Sequence, residues 1–134
     1  MYLQSKQFRF LINDRKTSIP SDLLVYEDNT LYISIKDMAS LLDFEYNNGE
    51  YKKFDEDVTK GYVEDKTGFE AAGFEANSEK MYKVVKEYDE HEDFTIKTKV
   101  KSINGKLYTT SEGINLLFNT KFINDQEKNY MSVY

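Results

Sequence analysis

The chain has 134 residues, 24 acidic and 18 basic side chains, and a formal net charge of −6. It contains one histidine, one proline, no cysteine and no tryptophan, but 11 tyrosines and 9 phenylalanines. This composition excludes disulfides, cysteine-ligated zinc, thiol catalysis and a multi-histidine metal site, and the length suits a single domain. The acidic balance opposes nucleic-acid binding, and no apolar run approaches the roughly 18 residues of a membrane-spanning helix.

The first part of the chain predicts a strand, a turn and a hairpin that leads into a helix. Phe8, Phe10 and Ile12 alternate with more polar residues, and residues 13–16 should reverse the chain. After the turn at residues 27–30 a β-favouring stretch ends at Ser34, which forms a capping-box pattern with Asp37. The helix that follows has its apolar stripe at helical spacing, on Ile35, Met38, Ala39 and Leu42.

A polar, glycine-containing stretch at about residues 47–79 reads as a connector. It includes a tandem duplication in which a Gly-Phe-Glu-Ala motif begins at Gly68 and again at Gly73. We interpret this stretch as a partly ordered insertion and expect it to be the most mobile region.

The second part predicts further strands. Residues 81–88 fit both a helical stripe and a strand alternation, and we favour the strand. The acidic residues 89–93 would then form a hairpin loop into a half-exposed strand at residues 94–101. The last residues, 130–134, also have the composition of a strand.

A weak internal repeat relates residues 29–43 to residues 104–119. Asn29 aligns with Asn104 at an offset of 75, whereas Leu31 and later residues align at 76, which requires one residue of slip in the turn. In the second copy Thr109 with Glu112 forms the capping pattern, and the apolar helix stripe is Ile114, Leu117 and Phe118. We therefore predict one α+β domain over residues 1–134, an antiparallel sheet packed on two short helices, with repeat-like halves at about 8–46 and 81–134.

The negative charge is concentrated in residues 43–70 and 87–93, each with a net charge of −5. Asp43, Glu45 and Asn47 alternate like calcium ligands, but Gly49 is one position late for an EF-hand loop and Phe54 occupies the position of its bidentate glutamate. We interpret both segments as solvated acidic loops, with no metal or cofactor site, and His91 as a solvated side chain.

The repeated element resembles the copper amine oxidase N-terminal domain family, also called the stalk domain. That family has an Asn-Gly turn, a Tyr-Val-Pro-Leu-like strand end and a short helix that ends in Leu-Gly before an aromatic residue. The matching segments are residues 12–15, 31–35 and 38–44 in the first half and 103–108, 112–114 and 118–119 in the second. Residues 76–83 also resemble the middle of longer stalk-type domains. The family's proline is replaced by Ser34 and Thr110 and its helix-ending glycine by Asp43 and Asn119, which tolerate the left-handed conformation.

The resemblance implies a non-catalytic domain of a bacterial secreted or cell-surface protein. The oxidase chemistry of that family belongs to a separate domain with three histidine copper ligands, which a chain with one histidine does not supply. No export signal is evident at the N terminus, so a cytoplasmic location is the alternative.

The leading functional hypothesis is thus a stalk or interaction module whose partner is a protein or a cell-wall component, with no enzyme activity, nucleic acid or membrane insertion. Tyrosine side chains suit recognition because they combine a large apolar area with a polar tip. The predicted interaction surface consists of tyrosines in polar contexts and of the carboxylates in the two acidic segments: Tyr26, Tyr46, Tyr51, Tyr62, Asp55, Glu56, Asp57, Asp89, Glu90 and Glu92.

The alternative hypothesis is a small acidic inhibitor or immunity-type protein that neutralises a basic partner. Charge complementarity would accelerate such an encounter and select the partner. The contact patches would then be residues 55–57 and 89–93.

Overall fold

The structure is a computed structural model that describes residues 9–134 except Asp55 and Asp57, and it does not describe the side chain of Phe54. The predicted strand position Phe8 and the predicted surface residues Asp55 and Asp57 lie outside the described residues. About 49% of the described residues are in strands and 12% are helical, so the prediction of an α+β fold is wrong and the protein is β-rich. The main reason is that residues 47–79 form strands where we expected a connector.

One four-stranded sheet contains both repeated hairpins, in the order β11-β12-β4-β3. Its strands are β3 (Leu24–Glu27), β4 (Thr30–Ser34), β11 (Lys101–Ile103) and β12 (Lys106–Thr109). The turn pairs Asp28-Asn29 and Asn104-Gly105 all have positive φ, as hairpin turns of this length require. Asp28 thus corresponds to Asn104 at an offset of 76, and the predicted one-residue slip does not exist. β4 and β12 pair through Ile33 and Thr109, which are themselves 76 residues apart.

Each repeated hairpin leads into a short helix, α1 (Ile35–Leu41) or α2 (Ser111–Phe118). The predicted cap of α1 is confirmed, because the Asp37 N–H donates to Ser34 Oγ at 3.3 Å. The predicted cap Thr109 is wrong, since it is the last residue of β12 and α2 begins after Thr110. The left-handed conformation expected after each helix is confirmed, with φ of 65° at Asp43 and 55° at Asn119.

A second four-stranded sheet brings the two ends of the described chain together, in the order β13-β14-β1-β2. Its strands are β1 (Arg9–Ile12), β2 (Arg15–Lys16), β13 (Phe122–Asp125) and β14 (Tyr130–Val133). β1 pairs with β14 in parallel, so the fold is not the single antiparallel sheet that we predicted. The predicted turn at residues 13–16 is confirmed, with positive φ at Asn13 and Asp14.

The third sheet has six antiparallel strands in the order β10-β9-β8-β7-β5-β6. They are β5 (Glu45–Glu50), β6 (Lys53–Phe54), β7 (Lys60–Glu64), β8 (Glu70–Glu75), β9 (Lys80–Val85) and β10 (Glu90–Thr95). The duplicated glycines have different roles, because Gly68 lies in the β7–β8 turn with φ of 76° and Gly73 lies within β8.

Two predictions near β10 are wrong. The acidic residues 89–93 were expected to form a loop, but the turn is residues 86–89 and the acidic side chains lie on β10. The predicted strand at 94–101 is interrupted, since residues 96–100 are irregular and bury Ile96 and Val100. A strand at the edge of a sheet accommodates charged residues on both faces, which alternation of hydrophobicity does not reveal.

The main hydrophobic core lies between the helices and the sheets. It includes the apolar stripes of both helices, which confirms the helical periodicity, and side chains from all three sheets. Within the described residues, neither helix is long and apolar enough to cross a membrane.

Candidate interaction surface

The six-stranded sheet has two different faces, because successive side chains of a strand point in opposite directions. On the inner face Val63, Ala72, Phe74 and Met81 join the main core. On the outer face a separate cluster forms, in which Tyr51 and Tyr82 pack against Tyr62, Ala71 and Val84. We call the outer surface formed by Tyr51, Tyr62, Tyr82 and His91 the tyrosine face.

Tyr82 lies across the backbone of Gly73 on the neighbouring strand. The two residues are paired in the β8–β9 register, and a Cβ atom on Gly73 would lie 2.0 Å from the Tyr82 ring. The hydroxyl of Tyr82 accepts a hydrogen bond of 2.9 Å from the Tyr51 N–H, 31 residues away. A glycine at position 73 is therefore needed for the ring to lie flat on the sheet and reach the β5–β6 turn.

His91 extends the aromatic surface to the edge of the sheet. Its ring is stacked on Tyr82, with centroids 6.1 Å apart and an interplanar angle of 22°. It lies opposite Val84 in the β9–β10 register, and its Nε2 is 4.0 Å from a carboxylate oxygen of Asp89. About 55% of its side chain is exposed, so the prediction of a solvated histidine is consistent with its position, although its stacking was not foreseen.

Two lysines lie beside Tyr51 at the other side of the face. The Tyr51 and Tyr62 rings meet edge to face at 5.7 Å, and the ammonium groups of Lys52 and Lys86 are 5.6 and 5.7 Å from the Tyr51 ring centroid. Such cation–π contacts stabilise a ring that would otherwise project from a turn. Tyr51 is thereby held in one orientation above the sheet.

Burial and a neighbouring carboxylate shift the pKa values of two tyrosines of the face and of the lysine beside them. Burial raises the pKa of Tyr62 and of Tyr82, so both phenols are protonated. Lys86 forms an ion pair with Glu64. Burial alone lowers the pKa of Lys86, but the hydrogen bond and charge of Glu64 outweigh it and the pKa is raised. The face therefore presents phenol hydroxyls and a fixed ammonium–carboxylate pair.

A groove of about 180 Å³ adjoins Tyr82. Tyr82 is its accessible apolar wall, whereas Phe74 and Met81, which also line it, are almost fully buried. Its polar rim holds three carboxylates and two ammonium groups, from Glu50, Glu75, Asp93, Lys60 and Lys80. Glu50 and Lys60 form an ion pair at 3.3 Å. This volume is below the roughly 300 Å³ of typical small-molecule pockets and corresponds to a single side chain. Because the rim has one more carboxylate than ammonium groups, it favours a cationic side chain.

Two exposed aromatic rings lie at one end of the same sheet. Phe69 in the β7–β8 turn is 60% exposed and Tyr88 in the β9–β10 turn is 68% exposed. The Lys86 N–H donates to the Phe69 carbonyl at 3.1 Å, which holds the two turns side by side. We call Phe69 and Tyr88 the aromatic tip.

The structure separates the four predicted surface tyrosines. Tyr51 and Tyr62 lie together on the tyrosine face, as described above. Tyr46 points to the inner face and packs on Phe74 at 5.7 Å, where burial raises its pKa to about 12. Tyr26 lies on β3, where its hydroxyl accepts hydrogen bonds from Asn124 and Gln126. Tyr46 therefore lies away from the tyrosine face, and its part in a binding surface stays a prediction.

The predicted acidic residues are also separated. Glu90 and Glu92 lie on β10 and are exposed, and Asp89 lies in the preceding turn, 3.4 Å from the Lys52 ammonium. Glu56 is exposed between β6 and β7. The sequence reasoning missed Gly73, Tyr82, the stacking of His91 and the aromatic tip. For Tyr82 a signal was present, since its alternation with Val84 places both on one face of a strand.

Among the described residues no group of three or more histidine, aspartate or glutamate side chains has an arrangement that could hold a metal ion. No protein-family model matches the chain, and comparisons with curated proteins and with solved structures give no match either. The stalk-domain resemblance therefore stays a prediction that rests on the sequence alone.

Proposed function

We propose that this chain is a non-catalytic interaction module that binds a protein partner through the tyrosine face. The observation that carries the proposal is the second apolar cluster, built from Tyr51, Tyr62 and Tyr82 outside the main core. Tyrosine is enriched at the centres of protein interfaces because it offers area and hydrogen bonding at a low entropic cost.

The charge of the surface supports a partner with basic side chains. The groove beside Tyr82 has the size of one side chain and carries one more carboxylate than ammonium groups. A lysine or arginine of the partner would place its apolar stem against Tyr82 and its charge near Glu75 and Asp93. The net charge of −6 would also accelerate the encounter with a basic protein.

The biological setting that we propose is a bacterial secreted or cell-surface protein, in which this chain acts as a stalk or spacer that also binds. The basis is the resemblance of the repeated hairpin–helix unit to stalk domains. A cell-wall component is the alternative ligand, and a cytoplasmic location is the alternative setting.

The second candidate function is an inhibitor or immunity-type protein. The observation that favours it is the row of exposed residues from Glu90 to Asp93, which presents three carboxylates along β10. This candidate requires that the chain inhibit a basic enzyme such as a nuclease at a one-to-one ratio. Titration of the nuclease with the chain, with nuclease activity as the readout, measures this. Binding to a basic partner without inhibition would favour the interaction module.

The test of the main proposal begins with selection of a random-peptide phage library on the immobilised protein. Selected peptides are expected to contain lysine or arginine beside an apolar residue. Calorimetry would then compare the wild type with the double variant Glu75→Gln/Asp93→Asn, for which we expect at least a tenfold rise in Kd. The matched control is Asp28→Asn/Glu127→Gln, which removes two exposed carboxylates from turns of the other two sheets and should leave Kd within twofold.

Two results would contradict the proposal. One is a set of selected peptides without basic residues, or with equal affinity for both double variants. The other is saturable binding of purified wall polysaccharide together with no peptide enrichment, which would replace the protein partner by a cell-wall ligand.

A further inference from the structure

Strand β10 forms one edge of the six-stranded sheet. Among the described residues it pairs with β9 alone, through six consecutive residue pairs from Glu90↔Val85 to Thr95↔Lys80. In an antiparallel edge strand, alternate residues direct their N–H and C=O groups away from the partner strand. The outer side of β10 is therefore a template on which a further strand can form hydrogen bonds.

The side chains of β10 restrict which strand can be added. Residues 90–93 are all exposed, and they carry three carboxylates and one histidine with no lysine or arginine. Pairing β10 with β10 of a second copy would place carboxylates opposite or diagonal to carboxylates, which is destabilising. An added strand with lysine or arginine at alternate positions would instead form favourable cross-strand pairs.

The register defines where those basic side chains would lie. Glu90 and Glu92 pair with Val85 and Lys83, whereas His91 and Asp93 pair with Val84 and Tyr82 of the outer cluster. Consecutive side chains of β10 thus alternate between the two faces of the sheet. Basic residues two positions apart on an added strand would meet Glu90 and Glu92, and the residues between them would lie beside His91 and Asp93.

The aromatic tip provides an apolar contact at the start of the same edge. Tyr88 is two residues before β10 and Phe69 lies in the adjoining turn, and both rings are more than half exposed. Such exposed rings next to an unpaired edge suit an apolar side chain at one end of the added strand.

We infer that β10 binds an extended, lysine- or arginine-containing segment of the partner protein by strand addition. The inference rests on the proposed function, because it names how the basic partner is held beside the tyrosine face. Backbone hydrogen bonds would supply sequence-independent contacts, and the alternating carboxylates would select the basic side chains.

The test uses a synthetic eight-residue peptide of alternating lysine and threonine, blocked at both ends, with the full chain. Two isomers carry N-methyl groups on either all lysines or all threonines, which removes the backbone donors along one edge of the peptide. Strand addition predicts that one isomer binds at least tenfold more weakly and that the other binds like the unmethylated peptide. Equal affinity of all three peptides, a loss with both isomers, or no binding would overturn the inference.

Hydrogen exchange and a pair of charge variants give a second readout. On binding, amides at alternate positions of β10 should exchange at least tenfold more slowly. Glu92→Gln should weaken binding at least threefold, whereas the control Glu127→Gln, exposed in the β13–β14 turn, should not. Unchanged exchange in β10, or equal effects of both variants, would overturn the inference.

The outcomes separate the inference from the proposed function. Peptide-induced shifts at Tyr51 and Tyr82 with no discrimination between the methylated isomers would leave the tyrosine face as the binding surface and overturn strand addition. Protection of β10 amides without any shift at Tyr82 would support strand addition and contradict the proposed contact surface.

Discussion

The inner and outer faces of the six-stranded sheet are built from the same strands but carry different chemistry. The inner face places Phe74 and Met81 in the main core, with 2% and 1% exposure. The outer face carries a smaller cluster of tyrosines with Ala71 and Val84, and charged side chains lie beside it. The difference teaches that one face holds the sheet in place, while the other exposes hydroxyls, an imidazole and ion pairs, which suits the proposed contact with a partner.

The largest expected effect comes from breaking the inner face. Phe74→Ala should reduce the free energy of unfolding by about 3–5 kcal/mol, because it leaves a cavity in the main core. The matched outer variant, Tyr82→Ala, should cost about 1–2 kcal/mol, since that ring is only half-buried. Urea denaturation measures both values. A cost for Tyr82→Ala equal to that for Phe74→Ala would contradict the distinction between the faces.

The second effect is a loss of stability at high pH that depends on Tyr46. Partial burial of Tyr46 on the inner face raises its pKa from 10.0 to about 12. Because the folded pKa is the higher one, this stability is fully present below pH 10.0 and is lost as the pH rises through about 12. Wild type should lose about 2–3 kcal/mol more than Tyr46→Phe over this window. Equal pH dependence of the two proteins in chemical denaturation would contradict the placement of Tyr46.

A third, smaller effect tests the close approach of Tyr82 to β8. Gly73→Ala should destabilise the protein by about 1–3 kcal/mol because the added methyl group meets the Tyr82 ring. In the Tyr82→Ala background the same substitution should cost less, since the ring is gone. A double-mutant cycle of unfolding free energies measures this coupling. Strict additivity of the two substitutions would show that the ring does not lie over Gly73.

The smallest effects distinguish the two lysines beside Tyr51. Lys86 and its partner Glu64 are each about one-fifth exposed, whereas Lys52 and Asp89 are each 62% exposed. Lys86→Met should therefore lower the free energy of unfolding by about 1 kcal/mol, and Lys52→Met should lower it by less than about 0.5 kcal/mol. Thermal unfolding at low and high salt would report both. A larger effect of Lys52→Met would contradict this ranking.

Local chemistry made part of the fold predictable from the sequence. Turn residues that tolerate positive φ identified the hairpin at Asn13-Asp14, and the capping-box spacing identified the Ser34 cap. The stalk-domain pattern, whose helix-ending glycine they replace, pointed to the left-handed Asp43 and Asn119. These features depend on neighbours within a few residues along the chain, so sequence spacing suffices.

Features that depend on strand neighbours were not predictable in this way. The strands within residues 47–79 have a weak hydrophobic pattern. Two of their glycines lie against the rings of Tyr82 and Phe74, and many of their charged side chains face solvent. The acidic pattern of residues 90–93 predicts a loop although they belong to β10, because an edge strand exposes both faces. Thr109 has the spacing of a cap, but its pairing with Ile33 keeps it in β12. The sequence predicted Tyr51 and Tyr62 as members of the candidate surface. It did not predict the pairing of β8, β9 and β10, which places Tyr82 and His91 on the same face.

The central claim is that the outer face of the six-stranded sheet is the interaction surface. The most direct test is amide and tyrosine-ring chemical-shift mapping of the labelled chain with a basic peptide selected by phage display. We expect the largest shifts at Tyr51, Tyr82 and His91, with little change in α1 and α2. Shifts confined to the helices or to the four-stranded sheets, with the tyrosine face unchanged, would contradict the account.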